Sequence, residues 1–207
     1  MTSTTAPSTS TTTAPATRGW RVVDIVVASV LGVAAGVVFW AWGLAWEPLS
    51  NLLVVVAPMA GLLAGGWLFA AVLGGLVIRK PGAAVFTEVV AGVVSMLIGT
   101  QWGFSVLIWA LLQGLAAELV FAAFGYRRFT LPVALLAGGA AGVAVGLLDN
   151  TFSSNATWEL GYKAVYLGCA VVSGVVVAGL LSWLAVRALA ATGVLSQFAA
   201  GRTAREV

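Results

Sequence analysis

Six apolar runs follow one another along this chain, at about 22–44, 52–78, 83–99, 104–124, 131–149 and 162–189, with almost no charge inside them. A helix needs about 20 consecutive apolar residues to cross a bilayer, so each run is a candidate span. Charged residues make up 8% of the 207 and hydrophobic ones 61%. An ordinary soluble domain carries about 25% charged residues, so this chain cannot clothe a water-facing surface. The reading is an all-α integral membrane protein with six transmembrane helices in one bundle. The second and sixth runs are longer than a span requires. Gly65-Gly66 offers a break in the second, and the sixth can begin at the interface, which leaves seven spans as the alternative.

Residues 1–17 contain only Met, Thr, Ser, Ala and Pro, with no charge and one large apolar residue, the initial Met. Such a segment buries too little surface to offset its chain entropy and reads as a disordered cytoplasmic tail. The membrane domain then covers 18–195, and 196–207 is a cytoplasmic C-terminal tail. Arg18 and Arg21 precede an apolar run longer than a signal h-region, so the first span is expected to be retained.

The breaks between runs lie at 47–51, 79–82, 99–103, 126–128 and 149–161. With six spans and the N-terminus inside, one side receives Arg18, Arg21, Arg79, Lys80, Arg127, Arg128, Arg187, Arg202 and Arg205 of the 10 basic residues, leaving Lys163 on the other. That split follows the positive-inside rule and places both termini in the cytoplasm of a multi-pass cell-membrane protein. Topology therefore accounts for the sequence pI of 9.5, and no nucleic-acid partner is expected. The chain has no His, and its one cysteine, Cys169, sits among small apolar residues. No imidazole or multi-thiolate metal site and no His-based catalysis is available, so neither metal nor cofactor is expected and the chain reads as a non-enzyme. No Walker-type nucleotide loop is present, so any active transport draws its energy from another subunit or an ion gradient.

Polar groups inside the runs are the candidates for a site. Glu88 and Glu118 are carboxylates within spans, and an intramembrane carboxylate needs a partner or a wet cavity. Each reads as a substrate, cation or partner contact, or as a hydrogen bond between helices. Gln101, Gln113 and Glu118 form the main polar cluster, on or before the fourth span. Trp40, Trp42, Trp46, Trp102 and Trp158 map to the outer ends of spans. They form an interfacial aromatic belt, or some of them line a pocket for a flat aromatic or cationic ligand. The outer stretch Asp149-Asn150-Thr151-Phe152-Ser153-Ser154-Asn155 is a lid over such a pocket or a solvated loop, and 155–157 also fits a glycosylation acceptor. Ala28, Gly32 and Gly36 repeat at four-residue spacing on the first span, a ridge suited to close contact within the bundle or with another protein. Asp24 reads as interfacial and favourable to the helix dipole.

Ile78-Arg79-Lys80-Pro81-Gly82-Ala83-Ala84, Glu88, Gly99-Thr100-Gln101-Trp102-Gly103 and Gln113-Gly114-Leu115-Ala116-Ala117-Glu118 occur in this order. Together they resemble the YkoE-type S component of energy-coupling factor (ECF) transporters, over about residues 18–200. The resemblance implies a substrate-capture subunit for thiamine or its hydroxymethylpyrimidine precursor. It implies work alongside a transmembrane coupling protein and two cytosolic ATPases in the lipid bilayer. Substrate-binding candidates are then Gln101, Trp102, Gln113, Glu118, Trp40, Trp42 and Asn150. The ridge of Ala28, Gly32 and Gly36 is the surface offered to the coupling protein. The residues also admit a stand-alone proton-coupled transporter using Glu88 and Glu118, or a membrane scaffold without a ligand.

Overall fold

The computed structural model describes residues 19–193; the two tails, with Arg18, Arg202 and Arg205, lie outside them. Every regular element among the described residues is helical. Helix α1 (Val22–Leu52) is followed by a 3₁₀ segment, Val54–Trp67, that passes through Leu68 into α2 (Phe69–Ile78). Then come α3 (Ala83–Ile98), α4 (Ser105–Ala123) and α5 (Leu131–Phe152). After a 3₁₀ turn, Ser154–Thr157, the last rod consists of α6 (Leu160–Ser173), a π-helical stretch Gly174–Leu181, and α7 (Ser182–Ala191). Five rods are long and apolar enough to cross a membrane, and α3, with 16 residues, is a shorter apolar helix.

Two of the expected breaks are helical. α1 continues through 47–51 with Pro48 inside it, because an exposed proline near a helix end forfeits a single backbone bond. α5 runs three residues beyond 149, to Phe152, which puts Asp149 and Asn150 on a rigid helix. The Gly65-Gly66 position does mark a change in the second rod, as a switch from 3₁₀ to α geometry around Leu68 rather than a chain break.

Close approaches fix the directions of the rods. Gly32 abuts Val90 and Gly36 abuts Val94, so α1 and α3 run parallel. Gly61 abuts Tyr166, Gly65 abuts Ser173, and the Ser182 hydroxyl donates to the Phe69 carbonyl, so 54–78 and 160–191 also run parallel. Lys80 Nζ meets Asp24 Oδ2 at 2.5 Å. The start of α1, the end of α2 and the end of α7 therefore share one end of the bundle, the terminal end. The opposite, far end holds the end of α1, the α3–α4 connection and the turn at 153–158.

α2 is the axis of the terminal half. It is apolar all round, and every residue from Ala70 to Ile78 except Leu73 is buried, as a helix with protein on all sides must be. Before Leu68 the second rod packs on α6 and α1, and its beginning, Val54 and Val55, is exposed.

The ridge on α1 is used inside the bundle. Ala28, Gly32 and Gly36 are buried, and a Cβ on Gly32 or Gly36 would lie 2.7 and 2.6 Å from Val90 and Val94. These three partner-interface candidates face the interior of the bundle, and at Gly32 and Gly36 the small size serves close contact with α3. The outward side of α1 carries Val22, Val26, Val30 and Leu44 instead.

α5 meets the π-helical stretch in the same way. A Cβ on Gly138 would stand 2.2 Å from the Gly174 carbonyl oxygen and 2.6 Å from the Gly179 nitrogen. Backbone atoms cannot rotate away, so Gly138→Ala must separate the two rods. The expected cost is about 1–3 kcal/mol, read as a lowered melting temperature in detergent; an unchanged melting temperature would show that the rods are not in contact there.

Candidate functional site

The far half of the bundle encloses a cavity of about 370 Å³, a volume suited to a small organic molecule. Its walls come from α1, the 3₁₀ segment, α4, α5 and α6, with no residue of α2. The space lies where α2 no longer occupies the axis.

Tryptophans dominate one wall. The Trp46 and Trp67 ring centroids are 5.4 Å apart at 61°, and Trp67 and Trp102 are 5.2 Å apart at 89°. Edge-to-face packing of this kind leaves aromatic faces available to a flat or cationic guest. Trp67 is held by its Nε1, which donates to the Phe39 carbonyl at 3.1 Å. Trp42 forms the layer behind: its Nε1 donates to the Leu63 carbonyl at 2.9 Å and its ring lies over Gly66, where any Cβ would collide at 2.2 Å.

The opposite wall carries the charge. Asp149 Oδ1 accepts from Trp109 Nε1 at 2.8 Å, and Oδ2 accepts from the Tyr166 hydroxyl at 2.7 Å. Two donors from different helices thus fix the carboxylate's orientation at the cavity, and each oxygen keeps a further lone pair for a guest. Buried Gln113 and Asn155 also line the cavity. Asn155 sits on the turn at 154–157, which Lys163 ties down through its Nζ to the Ala156 carbonyl at 2.7 Å.

Of the candidates from sequence, Trp102 and Gln113 line this cavity and the others do not. Trp40 lies on α1 one position round from the lining residue Phe39, and Trp42 is in the layer behind. Gln101 is exposed and its Nε2 reaches the Gly43 carbonyl at 3.4 Å, tying the α3–α4 connection to α1. Asn150 donates to the Lys163 carbonyl at 2.9 Å, bracing α5 against α6. Trp67, Trp109 and Tyr166 were not singled out. Trp109 had a readable signal, since Trp102, Val106, Trp109 and Gln113 follow helical spacing and all line the cavity.

Glu118 lies at the terminal end, away from the cavity. Its Oε1 accepts from Gly82 N at 2.6 Å and the Tyr126 hydroxyl at 2.7 Å, and its Oε2 accepts from Ala84 N at 2.9 Å and Val85 N at 3.4 Å. It caps the start of α3, whose own N-cap residue is Gly82 at φ +85° and has no side chain to do so. Burial and the neighbouring Glu118 push the Tyr126 hydroxyl up to about 12, so it stays a donor. The Arg79-Lys80-Pro81-Gly82-Ala83-Ala84 stretch and the Gln113-to-Glu118 stretch are thus two halves of one joint. Lys80 completes it at Asp24, which also pairs with Arg21 at 3.0 Å.

The chain resembles known proteins over nearly its whole length. A family model described as ABC-type cobalt transport system, permease component, matches residues 23–144. A protein of Bacillus subtilis (strain 168) named "Putative HMP/thiamine permease protein YkoE" is 36% identical over 190 residues, which cover 89% of this chain and 92% of that one. A solved structure described as the crystal structure of an S-component of ECF transporter superposes with a TM-score of 0.86 at 33% identity, covering 91% of this chain and 94% of that one. Fold, motifs and extent agree, and the chain belongs to the YkoE-type family of ECF-transporter S components.

Proposed function

We propose that this chain captures thiamine or hydroxymethylpyrimidine outside the cell, in the far-end cavity. It then delivers the ligand inward through a transmembrane coupling protein driven by two cytosolic ATPases. The observation that carries the proposal is the pairing of a tryptophan wall, Trp46, Trp67 and Trp102, with an oriented carboxylate, Asp149, across one cavity. Thiamine joins a cationic ring to a flat pyrimidine, so it matches both walls. A name that speaks of cobalt fits this chain less well. The sequence has no His, and no group of three or more metal-ligating side chains occurs among the described residues.

In this reading the chain crosses the membrane six times, with α3 as the short span. The terminal end, with Arg21, Arg79, Lys80, Arg127, Arg128 and Arg187, faces the cytoplasm. Glu88 and Glu118 serve as helix caps, which counts against a proton relay between them. Reconstituted liposomes test the division of labour. Thiamine uptake is expected only with the coupling protein, the ATPases and ATP present. Uptake by this chain alone under a proton gradient would overturn it in favour of a stand-alone transporter.

A further inference from the structure

Glu88 is fully buried on α3, and the cavity chemistry does not use it. A carboxyl inside a membrane bundle is costly and calls for a reason. Its Oε2 accepts the Ala71 backbone N–H at 2.7 Å, while Oε1 is buried without a hydrogen-bond partner. Ala71 is the third residue of α2, one of the first-turn positions whose N–H finds no carbonyl within its own helix. The N-cap residue of that helix is Leu68, which offers no side-chain acceptor. Glu88 supplies the acceptor from a neighbouring helix, at the point where the second rod changes from 3₁₀ to α.

That joint adjoins the cavity. The Leu68 N–H still makes a 3₁₀-type bond to the Gly65 carbonyl at 3.2 Å. Trp67, one residue towards the far end, carries the ring that meets Trp46 and Trp102. The segment kinks at Val56 (φ −123°, ψ 44°), and the 3₁₀ stretch that follows it to Trp67 still exceeds the usual 3–4 or so residues. Each residue converted from 3₁₀ to α geometry changes the advance around the axis from about 120° to about 100°, so a sliding joint would swing the Trp67 ring. On its other side Glu88 packs on α4: a Cβ on Gly114 would lie 3.2 Å from the Glu88 Cβ, and the preceding residue, Gln113, lines the cavity.

We infer that Glu88 is a positioning residue for the tryptophan wall: its bond to Ala71 holds the 3₁₀-to-α joint at Leu68 and thereby the Trp67 ring. The ligand served rests on the function proposed above, whereas the positioning is testable without ligand. The measurement is the exciton couplet of the close tryptophans in the circular dichroism of the ligand-free protein, followed by thiamine titration. Glu88→Gln keeps an acceptor for Ala71 and is expected to retain both couplet and affinity. Glu88→Ala is expected to lose most of the couplet at unchanged helix content, and to bind thiamine about tenfold more weakly. In a Trp67→Phe background, Glu88→Ala should change neither signal further, as two residues acting through one ring require. A folded Glu88→Ala protein with the parental couplet overturns the inference. Should Glu88→Ala fail to fold, Glu88→Asp draws the carboxylate back by one methylene: loss of the couplet there and retention in Glu88→Gln is expected, and equal couplets overturn the inference. A changed couplet with no thiamine binding in any variant, the parent included, would instead reject the ligand assignment and leave the positioning role standing.

Discussion

Asp149→Asn is expected to weaken thiamine binding about a hundredfold while leaving the bundle folded. The amide matches the carboxylate in shape. Its oxygen can still take the Trp109 N–H, and the Tyr166 hydroxyl can turn to accept from the new NH₂ group. What disappears is the negative charge, in a cavity whose other walls are largely aromatic and apolar. Truncating one partner of a desolvated charge pair costs roughly 2–5 kcal/mol, which spans the stated loss. Hydroxymethylpyrimidine carries no fixed positive charge, so its affinity should fall less than that of thiamine. Calorimetric titration of both ligands against both proteins checks this. Equal losses for the two would place Asp149 at the pyrimidine, and no loss for either would remove it from the site.

The largest effect on stability is expected at Glu118, through a joint remote from the cavity. Glu118→Ala leaves the buried Ala84 N–H and the half-buried Gly82 and Val85 N–H groups and Tyr126 hydroxyl without their acceptor. Leaving a buried donor unsatisfied costs about 1–3 kcal/mol, and several donors lose their acceptor here at once. The start of α3 should fray, with a lower melting temperature and faster amide exchange at 82–85. Glu118→Gln retains one acceptor oxygen and should lose less. Thiamine affinity of whatever Glu118→Gln protein remains folded should match the parent, because the residue caps a helix and does not touch the cavity. A large affinity loss without destabilisation would restore the substrate role that its sequence context implied.

Most rods were legible from the apolar runs, because charge is so scarce that each polar break stands out. The internal geometry of the second rod was not. Its apolar residues face every direction, so no periodicity separates 3₁₀ from α, and the switch at Leu68 depends on tertiary partners such as Glu88 and Ser173. Pro48 and Asp149 misled for a related reason: both read as loop signals, yet packing carries the helix past each of them. Of the residues that the sequence singled out for a site, only some line the cavity. Trp102 and Gln113 stood beside turns or polar neighbours and drew notice. Trp67 and Trp109 lay hidden inside apolar runs, where an aromatic looks like core. Glu118 drew notice because it is charged; that its partners are the backbone amides some 34 residues upstream is a fact of helix packing, which no local pattern records. The same packing turned the Ala28, Gly32 and Gly36 ridge inward, since small-residue spacing alone does not say which helix it meets.

The most direct test of the capture role is a calorimetric titration of the purified protein, in detergent or nanodiscs, with thiamine, hydroxymethylpyrimidine and cobalt(II) in separate runs. Saturable binding of thiamine or hydroxymethylpyrimidine at one molecule per chain, with tryptophan quenching and no heat from cobalt(II), is the predicted result. Saturable binding of cobalt(II) with no response to either organic ligand would contradict the account.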